Sequence, residues 1–367
     1  MRISMKNTFG NNVAITLFGE SHGDMIGAVL DGIAAGVKID VNEINKEMDK
    51  RRPYGKISTS RHESDEVKIV SGVMNGTTTG TPITILIENS NTSSKDYSVF
   101  KDMPRPSHAD YTAEVKYNGK QDYRGGGHFS GRLTAPIVAA GAIVKAMLKE
   151  KGISIGTHIK NLHGVSDRDF LNINDDIALL SEKIFPVLDP SSEKAMTNEI
   201  LKAAELGDSV GGVLETAIIG LPSGVGEPWF DSLESTLSHI IFSIPGVKGV
   251  EFGLGFGFAD KYGSEANDSF RTDGEKIFTL TNNNGGINGG ISNGMPIIFR
   301  TAVRPTPSIF KAQETVSLSK MENTSLKIEG RHDPAIIHRA RAVVDAACAI
   351  AITDALVSVY GTSYFGG

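Results

Sequence analysis

The spacing of apolar and polar positions changes several times along the chain. Asn12 to Phe18 (Asn-Val-Ala-Ile-Thr-Leu-Phe) is apolar and β-branched and predicts a strand. Ile26–Leu30, Val67–Val70 and Pro82–Glu88 predict three more. Asp40-Val-Asn-Glu43 is a capping-box pattern that opens a helix to about Lys50. The Ala-rich run Leu133–Leu148 predicts a helix. In the second half, Ile153–Ile159, Gly211–Ile219, Val250–Gly257 and Met295–Arg300 read as strands and Glu199–Leu206 as a short helix. Phe230–Phe242 has helical periodicity, with Leu233, Leu237, Ile240 and Ile241 on one stripe. A long helix follows Pro334 and runs to about Tyr360. Residues 89–102 are polar and read as a surface loop, and residues 166–198, acidic and without clear signal, as a peripheral insertion. The two halves share a strand–turn–strand–helix style without a fixed period.

Composition narrows the class. A chain of 367 residues forms one large domain or two ordinary ones with a sizeable core. A net charge of −6 argues against a broad nucleic-acid surface, so an anionic ligand has to be held by local basic clusters. The lone cysteine, Cys348, lies in an apolar helix pattern and excludes an internal disulfide; no Cys/His spacing reads as a metal site. No secretory signal and no uninterrupted run of 18 apolar residues is visible, so the expected setting is the cytoplasm, with no membrane partner.

Those basic clusters sit in glycine-rich turns. Asp122-Tyr-Arg-Gly-Gly-Gly-His-Phe-Ser-Gly-Arg132 puts three glycines between Arg124 and Arg132, directly before a helix. Glycine lets the backbone approach a ligand, and a helix N-terminus favours anions. Gly19-Glu-Ser-His-Gly23 ends the first strand, with His22 a candidate general acid. Ser21 beside it invites a nucleophile reading, but adjacent turn residues rarely face each other and no third partner is evident. Lys50-Arg-Arg-Pro-Tyr-Gly-Lys56, with Arg61-His62 following, reads as a solvated basic loop or as a mobile lid over a multiply charged anion. Prolines on both sides stiffen Arg105 in Pro104-Arg-Pro-Ser-His-Ala-Asp110. The turn Asn282–Gly294 lacks GxGxxG followed by a helix, so a Rossmann site is poorly supported. Arg304-Pro-Thr-Pro-Ser308 and Gly330-Arg-His-Asp-Pro334 complete the set; Asp333 reads either as a helix N-cap or as a ligand-facing carboxylate.

Seven of these segments, in this order and across nearly the whole chain, resemble the chorismate synthase family: 19–23, 51–53, 105–110, 122–132, 285–292, 304–306 and 330–334. The resemblance implies an α+β fold, a β-α-β sandwich of two antiparallel sheets with helices packed between them, in a single domain over 1–367. It implies a lyase that removes phosphate from 5-enolpyruvylshikimate 3-phosphate by 1,4-anti elimination to give chorismate, the last common step of aromatic amino acid biosynthesis. It also implies dependence on reduced FMN, NADPH as a flavin reductant in some members, and a homotetramer. Carried over residue by residue, the catalytic set is His22, His108, Asp333, Ser21 and Ser130. Either histidine could serve the leaving phosphate; the resemblance favours His22 there and His108 at the flavin. Asp333 matches an aspartate proposed to take the C6 proton through flavin N5. Flavin-binding positions are His128, Phe129, Ser130, Pro245, Gly246, Gly289, Arg304, Pro305, Thr306, Pro307, Ser308 and Arg331. NADP positions are Arg51 and Lys56; Arg51, Arg105, Arg132 and Arg331 are substrate cations. The chain departs from the commoner pattern at His128-Phe129, where many members have Arg-Ser or Arg-Ala, at Arg304 for lysine and at Pro307 for serine.

Two other classes compete. A non-catalytic module for phosphorylated ligands explains the glycines and arginines but leaves the loop histidines and Asp333 without roles. An RNA-binding protein conflicts with the acidic total and the lack of an aromatic-basic stretch.

Overall fold

A computed structural model describes residues 6–59, 65–90, 95–328, 330 and 332–366. Two five-stranded antiparallel sheets enclose a layer of helices. Sheet one contains β1 (Thr8–Phe9), β2 (Ala14–Gly19), β3 (Met25–Asp31), β4 (Val67–Ser71) and β5 (Ile83–Glu88), in the order β1-β2-β3-β5-β4. Sheet two contains β6 (Ser154–Leu162), β7 (Val165–Ser166), β8 (Gly212–Ile219), β9 (Val247–Phe252) and β10 (Ile297–Val303), in the order β9-β10-β8-β6-β7. The helices are α1 (Val41–Arg51), α2 (Asp110–Tyr117), α3 (Thr134–Glu150), α4 (Ile173–Glu182), α5 (Pro190–Glu205), α6 (Leu233–Ser243), the single turn α7 (Gly263–Ala266) and α8 (Ile337–Tyr360). The α+β sandwich expected from the sequence is the fold observed.

Alternation sets the buried face of sheet one. Ile83, Ile85 and Ile87 of β5 face Leu30, Ala28 and Ile26 of β3 in register, and all six are fully buried. Their common face packs on α3, while α8 packs on β6 and β8 of sheet two. Both helices are apolar nearly all round because each is covered on every side. They are long and apolar enough to cross a membrane by composition, yet 83% of each window is buried inside the fold, as core helices are. They cross closely at Gly141, where an added Cβ would lie 2.6 Å from Ala346 Cα.

Most charges in this layer are paired. Glu47 binds Lys50 at 2.6 Å and Lys145 at 2.8 Å, and Arg341 lies 3.5 Å from Asp345, which also accepts from the Thr157 hydroxyl at 2.6 Å. Burial pushes the Glu47 carboxyl up, but the Lys145 and Lys50 cations outweigh it and hold its pKa at about 2. Near the far end of α8, Asp354 accepts the backbone N–H groups of Asn11, Asn12 and Val13 at 3.1, 2.6 and 2.9 Å, tying sheet one to the helix layer.

Some local expectations change. Residues 166–198 are not a loose insertion: they form α4 and most of α5, with Asp189 capping Ser191 N–H and Pro190 in the first turn. Their acidic residues are structural. Asp176 holds Arg168, and Asp167 accepts from Leu188 N–H and Asp189 N–H while pairing with His158. Within 89–102, Lys95–Lys101 turns as a 3-10 segment. The strand expected at 250–257 spans Val247–Phe252 and stops at Gly253, whose φ is +55°. Asp40 caps α1 through Asn42 N–H, but Glu43 pairs with Lys46 instead of completing a capping box.

Gly141→Ala tests the helix crossing. Alanine gains up to ~1 kcal/mol of helix propensity, against ~1–3 kcal/mol or more for overpacking. The urea midpoint should therefore fall; an unchanged or raised midpoint would show that the two helices yield at this point.

Candidate active site

A cavity of about 1060 Å³ opens where the Arg124–Arg132 turn meets residues 105–110, 243–248, 304–308 and 330–336. Segments far apart in the chain thus share one wall. Most of the residues singled out in the sequence reach it: His22, His108, His128, Phe129, Ser130, Arg105, Pro245, Gly246, Arg304, Thr306, Pro307, Ser308 and Asp333.

The three-glycine turn docks on the Gly19–Gly23 turn. Gly125, Gly126 and Gly127 have φ of +60°, +98° and +52°, a region that side chains disfavour. An added Cβ at Gly125 would clash with Cε1 and Nδ1 of His22 and lie 2.9 Å from Ser21 Oγ. Glycine is therefore required twice there, for the backbone angle and for the space. Ser21 N–H donates to Gly127 O at 3.1 Å, and the His128 ring bonds Gly19 O at 2.8 Å through Nδ1. The Ser21 hydroxyl donates to Arg124 O at 3.3 Å, so its oxygen is left to accept from His22 Nδ1, 3.2 Å away. Tyr97 meets the His22 ring edge-on at 4.9 Å between centroids.

His108 stands in another part of the wall with both nitrogens engaged. Nδ1 is 3.0 Å from Pro106 O, which can only accept, so Nδ1 carries the proton. Nε2 then accepts from the Ser308 hydroxyl at 2.9 Å. Burial first, and the Arg105 cation next, lower the His108 pKa to about 4. Arg105 is held by Asp110 through two bonds of 2.7 Å and lies over the Phe100 ring at 4.8 Å.

Asp333 is not an N-cap. The helix starts four residues later, at Ile337, and the carboxylate accepts from Thr59 N–H at 2.8 Å and from Arg339 at 2.9 Å. Arg339 also donates to Arg51 O at 2.7 Å. Asp333, with Ser130 and Pro245 among others, lines both the large cavity and a smaller one of about 300 Å³ whose wall also holds Arg51, Asp65, Arg132 and Arg339. There Asp65, 2% exposed, binds both Arg51, at 3.0 Å, and Arg132. Arg51 also donates to Thr134 at 2.9 Å. Lys50 and Arg51, expected in a basic loop or lid, thus close α1 as buried residues; Arg61 and His62 lie outside the described residues.

The remaining residues divide clearly. Ser21 lies behind His22, and Ser130 Oγ accepts Arg132 N–H at 3.2 Å, shaping the turn. Arg304 N–H donates to Gly246 O at 2.9 Å, joining the 304–308 wall to Pro245-Gly246. Lys56, Gly289 and Pro305 line neither cavity. Lys56 is exposed, and Gly289 belongs to a small hairpin beside the start of α6. Arg331 lies outside the described residues. Sequence reasoning did not find Asp65, Arg339 or Tyr97, whose roles come only from tertiary contact. His332 was read, with Arg331 and Asp333, only as able to face a ligand.

A flavin fits this cavity chemically. Arg304 Nε, Thr306 Oγ1 and His332 Nε2 are buried polar atoms in its wall with no protein partner among the described residues. Such atoms are costly unless something else meets them. Together they offer donors and an acceptor around an open space of cofactor size.

Comparison with known proteins agrees. A sequence model of the family described as chorismate synthase matches residues 13–357. The chain is 42% identical over 348 residues to a chorismate synthase of Thermococcus kodakarensis, covering 95% of this chain and 97% of that one. It is 46% identical over 356 residues to one of Methanobrevibacter smithii, covering 96% and 97%. A solved structure titled as a crystal structure of chorismate synthase superposes with a TM-score of 0.74 at 29% identity, over 96% of this chain and 94% of that one.

The buried histidines set an acid limit. Burial, then Arg339, lowers the His338 pKa to about 3, and its ring bonds the Ser58 hydroxyl at 2.8 Å. His108 and His338 stay neutral when folded but take a proton near pH 6.5 when unfolded, so stability should fall as pH drops below about 6.5. His158, held between Asp167 and Glu215, is shifted upward despite burial; its contribution is complete below about pH 6.5 and is lost only on the alkaline side. Urea midpoints from about pH 7 to 5 should decline, with His338→Gln flattening the slope. An equal slope in that variant would remove His338 from the effect.

Proposed function

Since the chain belongs to the chorismate synthase family, we propose that it converts 5-enolpyruvylshikimate 3-phosphate to chorismate in the large cavity, with reduced FMN bound there. The observation that carries this reading is the convergence of His22, His108, Asp333 and the 304–308 wall on one space with unmet polar atoms. Reduced FMN, when bound, supplies electron density to the substrate transiently and returns unchanged.

The chain's own residues account for binding and proton movement. The substrate carries a phosphate and two carboxylates; Arg105 in the large cavity and Arg331 are proposed to receive them there, and Arg51 and Arg132, which line the adjoining smaller cavity, are proposed to receive a group that extends past Asp333. Those of these arginines within the described residues are already held by carboxylates or backbone carbonyls, so they act as fixed dipoles and need little reorganisation as charge grows on the leaving phosphate. His22 is the proposed acid for that phosphate, its ring oriented through Nδ1 by the Ser21 hydroxyl. Asp333, fixed by Thr59 and Arg339, is the carboxylate proposed to receive the proton leaving the substrate ring. His108, neutral and bonded to Ser308, is proposed to face the flavin, with Arg304, Thr306, His128, Phe129 and Ser130 as further flavin contacts. Serine and tyrosine networks of this kind keep a ring in one orientation.

The remaining expectations are proposals of the same kind. A continuous apolar cluster from Val13 to Phe365 supports one domain. Trp229, Phe230, Phe256 and Tyr262 are 83%, 90%, 86% and 79% exposed, an apolar set that supports assembly into the expected homotetramer. The buried thiol of Cys348 suits a reducing cytoplasm. NADPH serving at Arg51 and Lys56 as a flavin reductant is open to direct assay of NADPH oxidation with FMN.

Anaerobic assay with the phosphorylated substrate should show phosphate release only with reduced FMN. Release without flavin, or binding without turnover, would overturn the reading; the latter would favour a binding module. His22→Ala should slow turnover by ~10²–10⁴-fold, the usual size of a lost general acid. Unchanged turnover would exclude His22 from the proton transfer.

A further inference from the structure

Asp333 sits in a stretch with little of its own to hold it. The helix α8 begins four residues later, with no side-chain cap at its start. The next carbonyl, Pro334 O, accepts Val210 N–H at 2.9 Å, which anchors the backbone but not the carboxylate. The carboxylate of an aspartate turns about a broad, two-fold torsion, so a single anchor leaves its plane loose. Asp333 has two anchors among the described residues. Oδ1 accepts Thr59 N–H at 2.8 Å, and Oδ2 accepts Arg339 Nη1 at 2.9 Å.

The second anchor is itself held. Arg339 is the third residue of α8, and its Nε donates to Arg51 O, at the end of α1, at 2.7 Å. One guanidinium thus joins the carboxylate, the start of α8 and the end of α1. A guanidinium donates in several fixed directions at once, whereas an ammonium is a point charge on a flexible stem. The Arg339 and Asp333 side chains are each 16% exposed, so water competes little for the pair. Asp333 lines both cavities, but Arg339 lines only the smaller one. The cation therefore grips the carboxylate without forming part of the wall where His22 and His108 stand.

We infer that Arg339 is a positioning residue: through its bonds to Asp333 and to Arg51 O it sets the direction in which the Asp333 carboxylate faces the large cavity. This deepens the reading of Asp333 as the proton acceptor and rests on it. The effect belongs to rate and not to binding, because a misdirected acceptor leaves the ligand contacts in place but takes the proton more slowly.

Two variants test it. Arg339→Gln removes the charge and shortens the reach; Arg339→Lys keeps the charge and loses the fork. Phosphate release, referred to the number of FMN-binding sites, gives kcat and KM, and fluorescence titration gives FMN affinity. Arg339→Gln should lower kcat by ~10–100-fold, the size of a displaced reacting group, with KM and FMN affinity little changed. Arg339→Lys should recover only part of that loss. In an Asp333→Asn background, Arg339→Gln should lower kcat by no more than ~2-fold further, since a residue acting through Asp333 has nothing left to position. Arg339→Gln protein with wild-type kcat overturns the inference and leaves the lyase reading intact. So does a loss that falls on KM or FMN affinity, which would make Arg339 a ligand contact in the smaller cavity. Full kcat in Arg339→Lys overturns it too, because charge and not direction would then be the requirement, as do equal losses with and without the Asp333 carboxylate. Wild-type protein that releases no phosphate with reduced FMN overturns the reading and this inference together.

Discussion

The site depends on a contact that only a missing side chain permits. Gly125 lies so close to the His22 ring that a Cβ has no room, and its φ of +60° disfavours one anyway. That contact places the three-glycine turn on the Gly19–Gly23 turn, and Ser21 N–H to Gly127 O locks it there. From this junction the helix α3 departs with Ser130 shaping its entry, and Arg132 is carried into the smaller cavity. A shift at Gly125 would therefore move His22, Ser21 and Arg132 together. None of them is positioned independently.

Electrostatics follow the same economy of parts. The chain is acidic overall, with a net charge of −6, yet its site gathers arginines. Five of these have a carboxylate at hand: Asp65 for Arg51 and Arg132, Asp110 for Arg105, Asp122 for Arg124, Asp333 for Arg339, whereas Arg304 pairs with none among the described residues. Isolated buried cations would repel one another and be costly to desolvate. Paired ones can be buried and aimed. A carboxylate-bound guanidinium still has further N–H groups to offer, so pairing gives up part of its charge in return for a fixed direction. Such an arrangement suits a leaving anion whose charge appears only during the reaction.

The sequence was most informative where a short local rule decides the outcome. Alternation in Ile83–Glu88, the stripe Leu233–Leu237–Ile240–Ile241 and the apolar run after Pro334 became β5, α6 and α8. Residues 166–198 were illegible because their order comes from side-chain pairings, Asp167 with His158 outside the segment and Asp176 with Arg168 inside it, and neither pairing leaves a local periodicity. Asp333, ahead of a proline at a helix start, read either as an N-cap or as a ligand-facing carboxylate; its actual partners, Thr59 from a distant segment and Arg339 from the first turn of α8, had no sequence signal. The glycine, histidine and arginine motifs were visible as motifs. Their meeting in one cavity was not, since neither spacing nor composition encodes which turns touch. Asp65 and Arg339 carried no local signal, although without them the cation pairs could not be buried.

The helix α8 explains why these distant turns stay in register. At ~1.5 Å per residue its 24 residues span ~36 Å. The turn before its first residue carries Asp333, and Arg339 in its first turn returns to that carboxylate and to Arg51 O. His338 stacks on Phe185, in the segment leading from α4 to α5. Toward its far end, Asp354 captures three successive N–H groups ahead of β2, and β2 leads directly into Gly19–Gly23 and His22. Because Gly141 lets α3 sit directly against α8, the helix that follows the three-glycine turn is registered to the same rod. His22, the Asp333 carboxylate and the turn that holds Ser130 are thus all referenced to one buried helix. An unsupported loop site would need each of those positions to be won separately from conformational entropy; here the core has already fixed them.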